Sequence, residues 1–212
     1  MDIKDKENYF SPGDHRLEEL MTRLATLKKS SFKFKLNNSC LLVIDMQNYF
    51  LSEQSHAYIP AAKSILNNVN TLVNLYESQR LPIVITRHID NPDFTLMSRW
   101  WKGRISKGSF DSELIDSLKQ RNAFYLVKSS YDAFYQTELE DILRNFGVER
   151  ILITGVMTHL CCETTARSAF VRGFEVYFVV DATATYNFEF HRSSLINLSH
   201  GFVIPVWTRE IG

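Results

Sequence analysis

Six short apolar runs, rich in β-branched residues, constrain this chain more than any other feature: SCLLVID, LPIVITRH, AFYLVK, ERILITG, FEVYFVVDAT and GFVIPVW. Each is too short for a typical helix, and several are continuous in hydrophobicity, the pattern of a strand buried on both faces. Helical patterns lie between them. AAKSILNNVNTLVNLYESQ sets Ile65, Val69, Leu72, Val73 and Tyr76 on one face. SELIDSLKQ reads as a short helix, and YDAFYQTELEDILRNFG carries Leu139, Ile142, Leu143 and Phe146 towards a stop at Gly147. CCETTARSAFVRG closes at Gly173, and a further helix falls near EFHRSSLINLSH. Such alternation predicts the α/β class: a doubly wound three-layer sandwich with a mostly parallel sheet, for which 3-2-1-4-5-6 is the common strand order. At 212 residues the chain suits one such domain.

The domain is expected over residues 36–212, behind an N-terminal extension of residues 1–35. Residues 1–14 are polar, contain Pro12 and Gly13, and read as a loose lead-in. Leu17, Leu20, Met21, Leu24 and Leu27 then form one stripe, predicting an amphipathic helix that packs on the body or on another subunit. Lys28 and Lys29 follow on a solvated face that suits the helix C-terminus.

Twenty-four basic residues balance twenty-four acidic ones. No excess positive field points to nucleic acid or an anionic membrane, so a small molecule is the expected partner. The opening MDIKDKENYF lacks the apolar core of a signal peptide, and no apolar run approaches a membrane span. The expected location is cytoplasmic. Three cysteines, two of them adjacent, make no disulfide framework, and no C-x-x-C zinc pair occurs.

Chemistry is expected at the strand ends, because ligands of open parallel sheets bind outside the carboxyl edge near the reversal of strand order. Asp45 ends the first run and is either a loop cap or a working acid/base. Gln47 and Asn48 follow as loop hydrogen bonders, with Gln47 also a candidate substrate contact. The second run ends in Thr86, Arg87 and His88; Arg87 would bind a substrate carboxylate or form a structural ion pair. Lys128 ends the third run. In TGVMTHLCCETTARSA a strand gives way to a helix beside Cys161 and Cys162, where the helix dipole favours a thiolate. Asp181 reads as a loop cap. Residues 91–110 form a long irregular connection in which Trp100 and Trp101 either wall a pocket or pack beneath the loop. In the common strand order Asp45 and Cys161 flank the reversal, while Lys128 starts two strand spacings, ~10 Å, away and must reach across.

Three stretches in this order, LLVIDMQNYF, LVKSSYDAF-YQTELEDIL and TGVMTHLCCETTARSAF, resemble the isochorismatase-like cysteine hydrolases, which include nicotinamidases and N-carbamoylsarcosine amidases. The resemblance spans roughly residues 36–206, the size of one domain. It implies a triad of Asp45, Lys128 and Cys161, with Cys162 a packing neighbour. It also implies a cis peptide at Val156–Met157 that positions the Met157 and Cys161 amides as an oxyanion hole. Phe134 and His159 join Gln47, Arg87 and Trp100 as candidate substrate contacts, although His159 also reads as a helix-start histidine bonded to backbone. The implied reaction is hydrolysis of a small amide, carbamoyl or related C–N bond through a thioester. A homo-oligomer is expected.

Two departures keep alternatives open. IDMQNYFL and GVMTHLCCETTA also resemble the isochorismatase branch, which hydrolyses a vinyl ether without a nucleophilic cysteine and would use Asp45 as acid. Nicotinamidases carry an Asp-x-His pair and a later histidine, whereas here Ser52, Glu53, Gln54 and Ser55 precede a single His56. No cofactor and no catalytic metal are predicted. A third alternative is a non-catalytic binding protein that keeps the fold and docks through the helix at residues 16–29.

Overall fold

The computed structural model describes residues 5–27, 32–90, 95–101 and 103–212; Lys28 and Lys29 fall outside them. Six strands follow the six apolar runs: β1 (Ser39–Ile44), β2 (Ile83–His88), β3 (Phe124–Lys128), β4 (Arg150–Val156), β5 (Glu175–Ala184) and β6 (Ile204–Val206). They form one sheet in the order β3-β2-β1-β4-β5-β6, every pairing parallel. The central β1 and β4 are buried along their whole length, which is why their sequences run apolar without alternation.

The helices are α1 (Arg16–Leu27), α2 (Asn48–Leu51), α3 (Leu66–Ser78), α4 (Thr95–Trp101), α5 (Leu139–Asn145), α6 (Glu163–Val171) and α7 (Phe188–Gly201). α3 packs on β1, β2 and β5, α6 packs on β5 and α7, and α1 packs on α7. The leucine stripe of α1 therefore serves the body of the same chain: Leu17, Leu20 and Leu24 are buried in the common core.

Three local expectations change. The connection at residues 91–110 contains α4, a helix whose apolar residues do not repeat at one period. SELIDSLKQ makes only a single tight turn, Asp116–Leu118, preceded by an isolated antiparallel bridge from Leu114 to Gln47; that pairing holds the chain extended where local propensity favoured a helix. Residues 5–14 are not loose. Tyr9 is 1% exposed, Glu7 donates its amide to the Tyr186 carbonyl at 2.8 Å, and Lys6 Nζ donates to the His56 and Tyr58 carbonyls at 2.8 and 3.0 Å. Polar composition concealed a segment that Lys6, Glu7 and Tyr9 tie to the body.

Asp181 lies inside β5, where the register against β4 shifts between Ile153 and Gly155. Its carboxylate accepts from the Thr208 amide and hydroxyl at 2.8 and 2.9 Å, the capping role expected of it. Its carboxyl is raised by burial, against the Thr208 bonds.

Candidate active site

β1 ends because Asp45 turns to φ +50°, a left-handed conformation that aspartate tolerates better than most residues. The turn directs a fully buried carboxylate along the sheet edge. Thr86, on the neighbouring β2, holds it twice: the hydroxyl donates to Asp45 Oδ1 at 2.7 Å and accepts from the Asp45 amide at 3.1 Å. On the other side of β1, β4 approaches closely at Gly155, whose φ is +105°. A Cβ there would collide with the Ile44 carbonyl and come within 2.7 Å of the Ile44 nitrogen. Glycine is what lets the ends of β1 and β4 close together.

β4 leads through a cis Val156–Met157 peptide into a wide helical turn, Thr158–Cys162, and then α6. In this π-type turn the Cys162 amide reaches back five residues to the Met157 carbonyl at 3.2 Å, and the Leu160 amide meets the same carbonyl at 3.1 Å. Such turns cluster at functional sites. The turn points Cys161 at the strand edge and sends Cys162 wholly into the core.

The gap to Lys128 is closed. Its side chain is 0% exposed, and Nζ lies 2.6 Å from Asp45 Oδ2, 2.9 Å from the Ser130 carbonyl and 3.5 Å from Cys161 Sγ. The buried ammonium is therefore paired with a carboxylate and hydrogen-bonded to a carbonyl and a sulfur, which offsets the cost of removing its charge from water. Burial opposes that charge, but Asp45 and then Cys161 outweigh it and raise the Lys128 pKa above its ordinary value.

Cys161 also feels the Asp45 carboxylate, and here the structure corrects the expectation of a ready-made thiolate. Burial pushes the thiol up to about 12, and the pull of Lys128 offsets this only in part. Desolvation outweighs the helix terminus, so the resting group is a thiol. A carboxylate on the far side of the same ammonium can receive its proton, and the ammonium, which meets both, can hold the sulfur anion once formed.

Cys161 opens on a cavity of about 70 Å³ lined by aromatic side chains, among them Tyr49, Phe50, Trp101, Tyr131 and Tyr186. Trp101 Nε1 donates to Tyr131 Oη at 2.5 Å, and Tyr49 Oη pairs with His56 Nε2 at 3.0 Å. The polar end is His88 Nε2 against Asp90 Oδ1 at 3.1 Å, with Asp90 Oδ2 accepting from the Ile105 amide at 2.6 Å. Burial would raise the Asp90 carboxyl, but the His88 and Ile105 bonds hold it below its ordinary value. Among the described residues no lysine or arginine lines the cavity, and no cluster of three or more His, Cys, Asp or Glu could hold a metal.

Five candidate substrate contacts stand elsewhere. Gln47 is buried and cross-links the frame, donating to the His88 and Ser112 carbonyls and accepting from the His88 amide. Arg87 alternates away from Thr86 and His88 along β2 and pairs with Glu113 at 3.8 Å. Trp100 is 73% exposed, and its neighbour Trp101 lines the cavity instead. Phe134 is buried against Phe174 beneath the Arg172 guanidinium. His159 bonds the Thr185 hydroxyl at 2.7 Å and stacks on Phe190, and burial lowers it to about 4. The lining residues that sequence reasoning missed, Tyr49, Tyr131 and Tyr186 above all, follow strand ends, Tyr49 in the short α2 and the other two in loops, where no periodicity marks them.

Comparison with known proteins agrees with this architecture. The Isochorismatase domain family model matches residues 39–210. Nicotinamidase 3 of Arabidopsis thaliana is 42% identical over 174 residues, covering 79% of this chain and 84% of that protein. Isochorismatase of Bacillus subtilis (strain 168) is 31% identical over 163 residues, covering 75% of this chain but 52% of its own length. A cysteine hydrolase from Pseudomonas syringae pv. phaseolicola 1448A superposes with a TM-score of 0.80 at 24% identity, covering 85% of this chain and 93% of that one. The chain belongs to the isochorismatase-like family of hydrolases.

Proposed function

We propose that this protein is a cysteine-dependent amidohydrolase of a small, uncharged amide or related C–N substrate. The observation that carries the reading is Lys128 Nζ set between Cys161 Sγ at 3.5 Å and the Asp45 carboxylate at 2.6 Å, at the mouth of an aromatic cavity. Asp45 takes the thiol proton as the sulfur attacks the carbonyl carbon, and Lys128 holds the developing thiolate. The Met157 and Cys161 amides receive the oxyanion; the Cys161 amide does not share the Met157 carbonyl that engages its neighbours Leu160 and Cys162. Collapse breaks the C–N bond, the leaving amine takes the proton from Asp45, and a thioester remains. Asp45 then deprotonates a water that attacks the thioester, releasing the acid and restoring the thiol. The relative at 42% identity is a nicotinamidase by name, which makes nicotinamide the first amide to test.

A second reading, vinyl-ether hydrolysis of isochorismate, rests on the isochorismatase-like motifs and the relative of that name. The cavity favours it less: isochorismate carries two carboxylates, Arg87 faces Glu113, and no cation is among the described lining residues. Product release from nicotinamide, ureido acids and isochorismate, each with wild type, Cys161→Ala and Asp45→Asn, separates the two. Amide turnover lost in both variants is the expected result. Amide turnover that survives Cys161→Ala refutes the thioester route, and isochorismate turnover lost only in Asp45→Asn establishes the second reading.

A further inference from the structure

The turn that carries Cys161 is held from behind by groups outside the triad. Its first residue, Thr158, is fully buried, and its hydroxyl lies 2.9 Å from His191 Nδ1 on α7. The Tyr9 phenol, within electrostatic reach of that hydroxyl, accepts the Thr185 amide at 2.9 Å. The Tyr9 and His191 rings lie 5.0 Å apart. Ser194, one helical turn beyond His191, donates to the Thr158 carbonyl at 3.4 Å and to Glu163 at the start of α6. The N-terminal segment and α7 thus close around the residue that begins the turn, three residues before the sulfur.

Burial keeps His191 neutral, lowering it to about 3. In the neutral ring with its proton on Nε2, the Thr158 hydroxyl donates to His191 Nδ1. Nε2 faces the Val180 carbonyl without the geometry of a full hydrogen bond. The Thr158 hydroxyl and carbonyl are thus both tied to α7, which anchors the start of the turn.

We propose that Tyr9 and His191 are positioning residues that act through Thr158 to hold Cys161 within reach of Asp45 and Lys128. The N-terminal segment is then a working part of the active-site frame. This rests on Cys161 being the nucleophile, and it predicts more than stability. Displacing a nucleophile by about 1 Å costs up to ~10²-fold in rate, while the cavity walls that bind substrate stay in place.

The test uses the full chain and two readouts: ammonia release from nicotinamide, and iodoacetamide alkylation of Cys161 at pH 7 mapped by mass spectrometry. At that pH the thiol is protonated, so alkylation also requires Asp45 to take the proton and reads the same geometry without a substrate. Thr158→Val, which removes only the hydroxyl, is expected to lower kcat and the alkylation rate by roughly tenfold or more with KM within about twofold. Thr158→Ser restores both. Tyr9→Phe, which keeps the ring, gives a smaller loss in both readouts and serves if Thr158→Val does not fold. Wild-type rates in folded Thr158→Val or Tyr9→Phe overturn the inference, as does an equal loss in Thr158→Ser. If Cys161→Ala retains hydrolysis, the nucleophile assignment fails, and the alkylation rates alone then decide whether these residues position the thiol.

Discussion

Replacing Lys128 by methionine removes the ammonium while leaving the side-chain volume nearly unchanged. Asp45 then stays 0% exposed with only the Thr86 hydroxyl hydrogen-bonded to its carboxylate. At 2.6 Å and an effective dielectric of about 20, the lost attraction is of order 6 kcal/mol. Breaking a buried pair on one side costs less than that, about 3–5 kcal/mol, because the orphaned carboxylate escapes by taking up a proton. For a chain of this length that is a fall in Tm of roughly 6–20 °C. The pH dependence follows with its sign. In the variant, folding favours a protonated Asp45, so the deficit is larger at pH 8 than at pH 5. In the wild type the Lys128 pKa is raised, so its contribution is complete below the ordinary value of 10.5 and is lost only as pH rises through the higher folded value. Thermal and urea unfolding at pH 5 and 8 measure the size and sign of the variant's deficit, and unfolding of the wild type above pH 10.5 measures the loss of the Lys128 contribution. Adding Asp45→Asn, which suits positive φ and carries no charge, is expected to recover most of the loss. A Lys128→Met protein within 1 kcal/mol of wild type, or a double variant as unstable as the single, would falsify the picture of a dry, coupled pair.

Gly155→Ala is expected to cost roughly 3 kcal/mol or more in chemical denaturation, since it adds strain at φ +105° to a Cβ pressed against the Ile44 backbone. A loss below 1 kcal/mol would mean that β1 and β4 are not closely joined there. The adjacent tryptophans should separate cleanly: Trp101→Ala raises KM by roughly tenfold or more through lost aromatic contact and the lost bond to Tyr131, whereas Trp100→Ala changes KM less than twofold. Equal effects from the two would show that substrate binds outside this cavity.

Much of this protein was legible without coordinates. Apolar runs such as LLVI and ILIT can be buried only on both faces of a sheet, and the helical patterns between them dictate parallel pairing. That placed Asp45, Lys128 and Cys161 on one edge before any distance was known. Tertiary structure decided the rest. Whether the Lys128 ammonium reaches Asp45, whether Cys161 rests as thiol or thiolate, and which tryptophan lines the cavity all depend on packing and desolvation, which arise only when distant segments meet. The same reason explains the N-terminal segment: residues 5–9 are polar and without period, so composition describes them as loose. Their order comes from partners at Thr158, Thr185 and Tyr186, more than a hundred residues away in sequence, and no local pattern in a chain can announce a partner that only folding supplies.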